Sequence, residues 1–335
     1  MKRLRITLER IAGWDNLLCA LHKAARGKRY RGDVAVFLNN ADAGLQRMAD
    51  DIVNERLPYG GFHAFQIRDP KPRLIHAAAF PDRVFHHALI NLAGPRLERA
   101  MMPTSFACRP DMGVHRAARQ VQYNLRRFPW YGQIDIDGYF ASIPHGVLLS
   151  VLMRYFKGEA FEAQLRRILN GYHHTFEHGL PIGSLTSQYF ANIYLNGLDR
   201  RLAADGRVCA HVRYMDDIMW WCREKRDVPS VLHDVKAYLH QARGLRVKAN
   251  EKIQRSAQGA AYCGYRLLPG TVRLSRRRQR RYAQRRRYWE QLWLDGVIDD
   301  SRLQCAYAAV NAMTCGADAD GWRRKNLSRW PSPDV

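Results

Sequence analysis

The chain has 335 residues, 47% of them apolar, and 54 Lys and Arg stand against 31 Asp and Glu for a net charge of +23. That length supports two or three cooperating subdomains with their own cores, and the charge points to a polyanionic partner, because a cationic surface releases the counterions condensed on phosphate backbones. No apolar run approaches the roughly 18 residues of a membrane span, and Glu9, Arg10 and Asp15 interrupt the apolar stretch a signal peptide would need after the cationic start, so neither membrane insertion nor export is expected.

Leu4, Leu8, Ile11 and Leu18 predict an amphipathic helix, and residues 1–57 read as helical with a basic interruption at 27–32. Short strands are expected over 62–67 and 73–79, joined by Asp69-Pro70-Lys71-Pro72, whose two prolines enforce a turn. Helices follow over 81–99, with Pro81 in the first turn, and over 113–127. A strand over 131–135 leads to helices over 144–156 and 159–172, then a loop, Gly179-Leu180-Pro181-Ile182-Gly183, feeding a helix over 187–202. Strands over 208–214 and 218–222 form a tight hairpin, followed by a helix over 228–242 and strands over 245–248 and 261–268. From Arg276 the tail reads as helical and strongly basic. This order predicts an α+β fold: an antiparallel sheet backed by helices on one face and open to a cleft on the other.

The seven cysteines form no C-x-x-C pair, so they read as buried reduced thiols of a cytosolic protein. His173, His174 and His178 lack a matching ligand set nearby and read as exposed or nucleic-acid-contacting residues.

Two acidic strand ends carry the chemistry. Asp216 and Asp217 fall at the hairpin tip in Arg213-Tyr214-Met215-Asp216-Asp217, and Asp135 and Asp137 lie in Gln133-Ile134-Asp135-Ile136-Asp137. An Asp pair in a turn has a purely local explanation; a second acidic strand end does not share it. Asp135 and Asp216 are 81 positions apart but converge if their strands lie side by side. Gathered carboxylates repel one another and invite a hard dication. Two such ions about 4 Å apart clamp the attacking and leaving oxygens of a phosphoryl transfer. The expectation is a metal-dependent nucleotide polymerase with Asp135 bridging both ions, the Ile136 carbonyl as a backbone ligand, Asp216 as second carboxylate ligand, and Asp217 as a weaker ligand or tuning group. Asp137 shares a strand face with Asp135 and competes for its role.

Other residues suit nucleotide handling. Lys71 and Arg73, at the proline turn, can hold a triphosphate, the guanidinium as a bidentate fork. Phe140 can lie under the sugar and exclude a 2′-hydroxyl, or be an ordinary core aromatic. Gly183-Ser184-Leu185-Thr186-Ser187-Gln188 lets backbone approach a ligand at a helix start, with Thr186 or Ser187 as cap. Lys252 can protonate a leaving pyrophosphate or simply be solvated. Residues 271–290 hold nine arginines, among them Arg276, Arg277, Arg280, Arg281 and Arg285, interleaved with Tyr282, Tyr288 and Trp289. That pattern suits a helix gripping a duplex backbone. The apolar residues after it, Trp293 to Tyr307, argue against a disordered tail.

With these residues the chain resembles reverse transcriptases of the bacterial and phage group related to group II intron enzymes. Tyr214-Met215-Asp216-Asp217 is similar to the polymerase box. Asp135 with Phe140 at plus five and Ile143 at plus eight is similar to the other acidic motif, which selects Asp135 over Asp137. Lys71-Pro72-Arg73 and Phe106-Ala107-Cys108-Arg109-Pro110 resemble the fingers motifs, and Tyr262-Cys263-Gly264-Tyr265 resembles the primer-grip turn. Ile182 stands where most relatives carry Gln, and Gln188 where they carry Pro. That combination resembles the enzymes of diversity-generating retroelements. The resemblance implies a right-hand fold, with N-terminal helices and fingers in 1–130 (fingers elements continuing to about 205), palm in 131–270 and thumb in 271–335. It implies Mg²⁺ as a pair of ions, with Mn²⁺ as substitute, and dNTP substrates. It also implies an RNA template from the element's template repeat, an RNA/DNA duplex, poor fidelity opposite template adenine and an oligomeric accessory variability protein. Cytoplasmic action in a bacterial or phage-infected host is expected. The alternatives are a retron-like, intron-like or defence-associated reverse transcriptase, and a non-catalytic RNA-binding scaffold. No endonuclease or RNase H segment is recognised in the 70 residues after the primer-grip turn.

Overall fold

The computed structural model describes residues 2–68 and 72–333. The N-terminal part opens with β1 (Leu4–Arg5), α1 (Leu8–Ala12), α2 (Trp14–Ala25), α3 (Gly32–Asn39) and α4 (Ala41–Val53). The continuous amphipathic helix expected from Leu4 to Leu18 is therefore broken. Thr7 caps α1 by accepting from the Arg10 N–H at 3.4 Å, Gly13 separates α1 from α2, and Leu18 stays 37% exposed. Leu8, Ile11, Leu17 and Leu21 supply the buried face instead.

β2 (Phe62–Arg68) and β3 (Pro72–Ala78) form the expected hairpin, antiparallel from Phe62↔Ala78 to Arg68↔Pro72. It projects with most of β2 exposed. α5 (Phe80–Ala100) begins with Pro81 in its first turn, where the missing N–H is no loss. α6 (Val114–Arg127) follows, then β4 (Trp130–Asp135), α7 (Tyr139–Ser142), α8 (His145–Leu152), β5 (Phe156–Lys157), α9 (Glu159–Asn170), α10 (Leu185–Tyr194) and α11 (Asn196–Ala204). β5 pairs parallel with β1. The helix expected over 187–202 breaks at Leu195, and its N-cap is Ser184, not Thr186 or Ser187.

β6 (Ala210–Tyr214), β7 (Asp217–Cys222), α12 (Asp227–Arg243) and β8 (Lys252–Arg255) complete a central antiparallel sheet of order β6-β7-β4-β8. The strand expected over 245–248 is reduced to one bridge, Val247 to Ile136, and β8 forms just beyond it. β9 (Ala260–Tyr262), β10 (Tyr265–Leu267) and β11 (Val272–Leu274) make a separate antiparallel sheet, so the single strand expected over 261–268 is a hairpin. The basic tail divides into α13 (Arg276–Leu294), α14 (Asp300–Ala312) and α15 (Asp320–Arg329).

Strand alternation sends Ile134, Ile218, Trp220 and Cys222 into one core with the helices, and Tyr131, Val212, Met219 and Trp221 into another. The second core includes Ala117, Val121 and Leu125 of α6 and Tyr262, Tyr265 and Leu267 of the small sheet. The central sheet is thus covered on both faces, which corrects the one-sided layout expected from element order. Trp220 and Trp221 are adjacent and both fully buried, so neither face of β7 could be left to solvent. Gly132, directly opposite Trp220, makes this possible: a Cβ there would lie 2.2 Å from Trp220 Cζ2. The free cysteines also depart from expectation. Cys222 is buried, but Cys19, Cys108, Cys305 and Cys315 are exposed.

Candidate active site

The β6–β7 turn has two residues, Met215 and Asp216, between the paired Tyr214 and Asp217. Met215 sits at φ 57°, a left-handed conformation that a non-glycine residue adopts only under constraint. Arg213 supplies the constraint. Its Nη1 donates to the Met215 carbonyl at 3.2 Å, and its Nη2 to the Asn192 carbonyl at 3.0 Å. Asp199 neutralises it in a fully buried ion pair at 2.7 Å.

Asp135 ends β4 directly opposite Asp217. Asp216 immediately precedes Asp217 in the turn, so the pairing of β4 with β7 brings the two acidic strand ends together. Burial raises the Asp216 pKa, and the Asp135 charge raises it further. Burial pushes Asp217 up to about 7; the hydrogen bond from Gln133 Nε2 to Asp217 Oδ1, at 3.0 Å, opposes this, and Asp135 and Asp216 add to it. Asp137 is exposed, its N–H bonded to the Arg246 carbonyl at 2.8 Å, so it stands apart from the cluster.

Lys248, which the sequence reading did not single out, forms an ion pair with Asp135 Oδ1. Its N–H also donates to the Asp135 carbonyl at 2.9 Å. Together with the Asp137 bond, this flanks the Ile136↔Val247 bridge, so the Ile136 peptide groups face away from that segment, towards β7. A lysine following a helix and a β-bridge has no sequence signature; only the pairing brings it to Asp135.

Among the described residues, no three acidic, histidine or cysteine side chains close into a ready-made metal cage. The donor chemistry nevertheless fits a divalent cation. Asp135 and Asp216 crowd each other, Asp216 is reluctant to ionise, and a lysine ammonium already answers the negative potential. Asp217 is held towards Gln133, which suits a tuning group better than a principal ligand.

The surrounding residues distribute unevenly. Lys71 lies outside the described residues. Arg73 is exposed on β3. Phe140 is half-buried in α7 and meets Tyr139 edge-to-face at 5.7 Å. The Ile182 carbonyl accepts from the His76 N–H at 2.9 Å, docking its loop on β3. Gly183, at φ 117°, is pressed so closely there that a Cβ would come 2.9 Å from Ile75 Cγ2. Gln188 is half-buried in α10. Lys252 pairs with Gln133 across β8 and β4, and its charge is felt at Asp217.

Cys263 (φ 46°) and Gly264 (φ 80°) form the two-residue tip of the β9–β10 hairpin, between Tyr262 and Tyr265. The Tyr262 hydroxyl donates to the Asp217 carbonyl at 3.1 Å, tying this hairpin to the acidic turn. Arg278 lies over Tyr265 at 4.1 Å and donates to the Cys263 carbonyl at 3.3 Å. On α13, Arg276, Arg277, Arg280 and Arg285 are exposed and Arg281 is half-buried. Arg286 is buried against Glu290 at 3.3 Å, so not every arginine of this helix faces outward.

Residues 68–267, well over half of the chain, match the family described as Reverse transcriptase (RNA-dependent DNA polymerase). The chain belongs to this reverse transcriptase family. Such enzymes generally use divalent metal ions, in keeping with the carboxylate cluster. A protein encoded in a cob intron of Schizosaccharomyces pombe is 35% identical over 101 residues, covering 28% of this chain and 12% of that protein. YkfC of Escherichia coli is 25% identical over 186 residues, 51% of this chain and 46% of that protein. The group II intron-encoded protein LtrA of Lactococcus lactis is 26% identical over 137 residues, 39% and 23% of the two chains. This chain therefore spans less than half the length of these curated relatives. Telomerase from Candida albicans superposes with a TM-score of 0.45 at 9% identity, over 69% of this chain and 50% of that one.

Proposed function

We propose that this protein is the RNA-directed DNA polymerase of a diversity-generating retroelement, copying template-repeat RNA into cDNA mutagenised at adenines. The observation that supports the polymerase reading is the strand register that sets Asp135 opposite Asp217, beside Asp216, across about 80 positions of sequence. In this reading Asp135, Asp216 and the Ile136 carbonyl hold Mg²⁺, with Asp217 tuning the pair and Mn²⁺ as a substitute. Bound there, a pair of ions would supply charge stabilisation to the attacking and leaving oxygens. Lys71 and Arg73 grip the dNTP triphosphate, Phe140 screens the sugar, and Ile182, Gly183 and Gln188 border the incoming base. Lys252 protonates pyrophosphate. Cys263, Gly264 and Tyr265 hold the primer end, and Arg276, Arg277, Arg280, Arg281 and Arg285 follow the duplex backbone. The domain assignment is fingers over 1–130 and on to about 205, palm over 131–270 and thumb over 271–335. An oligomeric accessory variability protein is the expected partner, and the cytoplasm the expected site of action. No helix among the described residues is long and apolar enough to cross a membrane.

The retroelement assignment rests on Ile182 and Gln188. A second reading, a group II intron-like enzyme, is favoured by the similarity to LtrA and the intron-encoded proteins. Primer extension on RNA with Mg²⁺ tests the common core: Asp216→Ala with Asp217→Ala abolishes it, and equal signal from both proteins refutes a polymerase. Sequencing the cDNA separates the two readings. Errors concentrated opposite template adenine support the retroelement, and a uniform spectrum supports the intron-like enzyme.

A further inference from the structure

From Met112 to Gln133 the chain contains no acidic residue. Ala117, Ala118, Val121 and Leu125 bury one side of α6 against the central sheet, leaving His115, Arg116, Arg119, Tyr123, Arg126 and Arg127 exposed. Arg116 stands in the first turn, where the helix dipole disfavours a cation, and the turn has no acid to offset it. The Arg116 Nη1 donates to the Asp111 carbonyl at 3.1 Å, which leaves the rest of the guanidinium to solvent.

Aromatic rings alternate with the cations. Arg127 lies 5.1 Å from the Tyr123 ring centre and 5.6 Å from that of Phe128. Just beyond, Arg255 and Lys225 approach the Trp130 ring at 5.0 and 5.5 Å. At the other end, His115, Arg116, Arg119 and Tyr123, with one acid, Asp111, line a shallow cavity of about 530 Å³. Trp130 opens β4 and Asp135 closes it, so this end of the face lies about 17 Å from the acidic cluster at 3.3–3.4 Å per residue.

We infer that the outer face of α6, continued by Trp130, Lys225 and Arg255, is a second nucleic-acid site that binds single-stranded RNA outside the catalytic cleft. The inference rests on the polymerase reading for the identity of the RNA, a template segment not being copied. Guanidinium groups track the phosphates, and the exposed ring of Tyr123, 48% accessible, offers a stacking surface for a base. The interleaving of rings with cations favours an unpaired strand, whose bases can stack, over a duplex, which presents only its backbone.

The test uses the full chain carrying Arg116→Gln, Arg119→Gln and Arg127→Gln, with the three Arg→Lys changes as control. Binding of a labelled oligouridine is measured across a salt series. The glutamine variant should show a log K against log salt slope shallower by about 2, at about 0.7 per lost cation. The lysine variant should keep the wild-type slope. Extension on a long template RNA at limiting concentration should fall about tenfold, as expected for losing several phosphate contacts. Extension on a saturating, pre-annealed short duplex should stay within twofold of wild type. An unchanged salt slope overturns the proposal and leaves an acidic protein as the occupant. Equal loss on long and short substrates also overturns it, by making the face part of the cleft. A 4-thiouridine RNA photocrosslinked to the wild-type protein gives a readout that needs no variant. Crosslinks within residues 114–130 support the site, and crosslinks confined to other segments refute it. Wild-type protein inactive on both substrates would refute the polymerase reading while leaving the binding measurements intact.

Discussion

Arg213 and Asp199 face each other in a fully enclosed ion pair, with Nε at 2.8 and 3.0 Å and Nη2 at 2.7 Å from the carboxylate oxygens. The same guanidinium bonds the Met215 carbonyl, one residue before Asp216. A charge pair with no solvent access is costly to break from one side only, because the survivor is left desolvated.

Arg213→Ala and Asp199→Ala should each destabilise the protein by about 3–5 kcal/mol. The double replacement should cost less than their sum, since no orphan charge remains. Urea unfolding of the four proteins checks this; a single replacement costing under about 1 kcal/mol would contradict the enclosed pair.

Asp217 titrates near 7 in the folded protein, above the usual 3.8 of an aspartate. Between those values the folded state binds more protons than the unfolded one, so this group's contribution to stability falls as pH rises. Asp217→Asn should therefore stabilise the metal-free protein at pH 8, by about 1–2 kcal/mol once partial exposure is allowed for, and have no such effect at pH 4. Melting curves in chelator at both pH values test the sign. Added Mg²⁺ should raise the wild-type melting temperature more than that of Asp216→Asn.

His86 is buried, with Nδ1 3.2 Å from the Ser184 hydroxyl at the start of α10. Burial, helped by the charge of His87, lowers its pKa to about 4. The folded state then binds fewer protons than the unfolded one between about 4 and 6.5, so stability is held above that window and lost as pH falls through it. The loss should reach about 3 kcal/mol by pH 4. His86→Gln should reduce this part of the stability–pH profile, leaving the share of His87, whose pKa is likewise lowered to about 4. An unchanged profile would refute the assignment.

In the proposed reading, Ile182 borders the incoming base with a branched apolar side chain, where an amide would offer hydrogen bonds. Ile182→Gln should restore about one hydrogen bond of discrimination, on the order of 1 kcal/mol or fivefold fewer errors opposite adenine. Deep sequencing of cDNA from one template RNA measures it, and an error spectrum identical to wild type removes Ile182 as the cause.

The sequence made legible what depends on local chemistry. Proline spacing announced the β2–β3 hairpin, and apolar runs around two acidic strand ends announced the central strands. Charge announced a polyanionic partner. Sequence reading failed where separate segments had to meet. Nothing local reveals that Val247 makes only a bridge, that Lys248 lands on Asp135, or that Arg278 closes over Tyr265.

By itself the sequence determined which carboxylates are available and that their strands end at them, because side-chain alternation and turn preference are properties of a few consecutive residues. Tertiary structure alone decided that Lys248 pairs with Asp135, and that Arg213 fixes the turn that presents Asp216. It also decided that a second core covers the far face of the sheet. Those outcomes follow from strand pairing and from burial, which bring groups together across distances the chain's order does not encode.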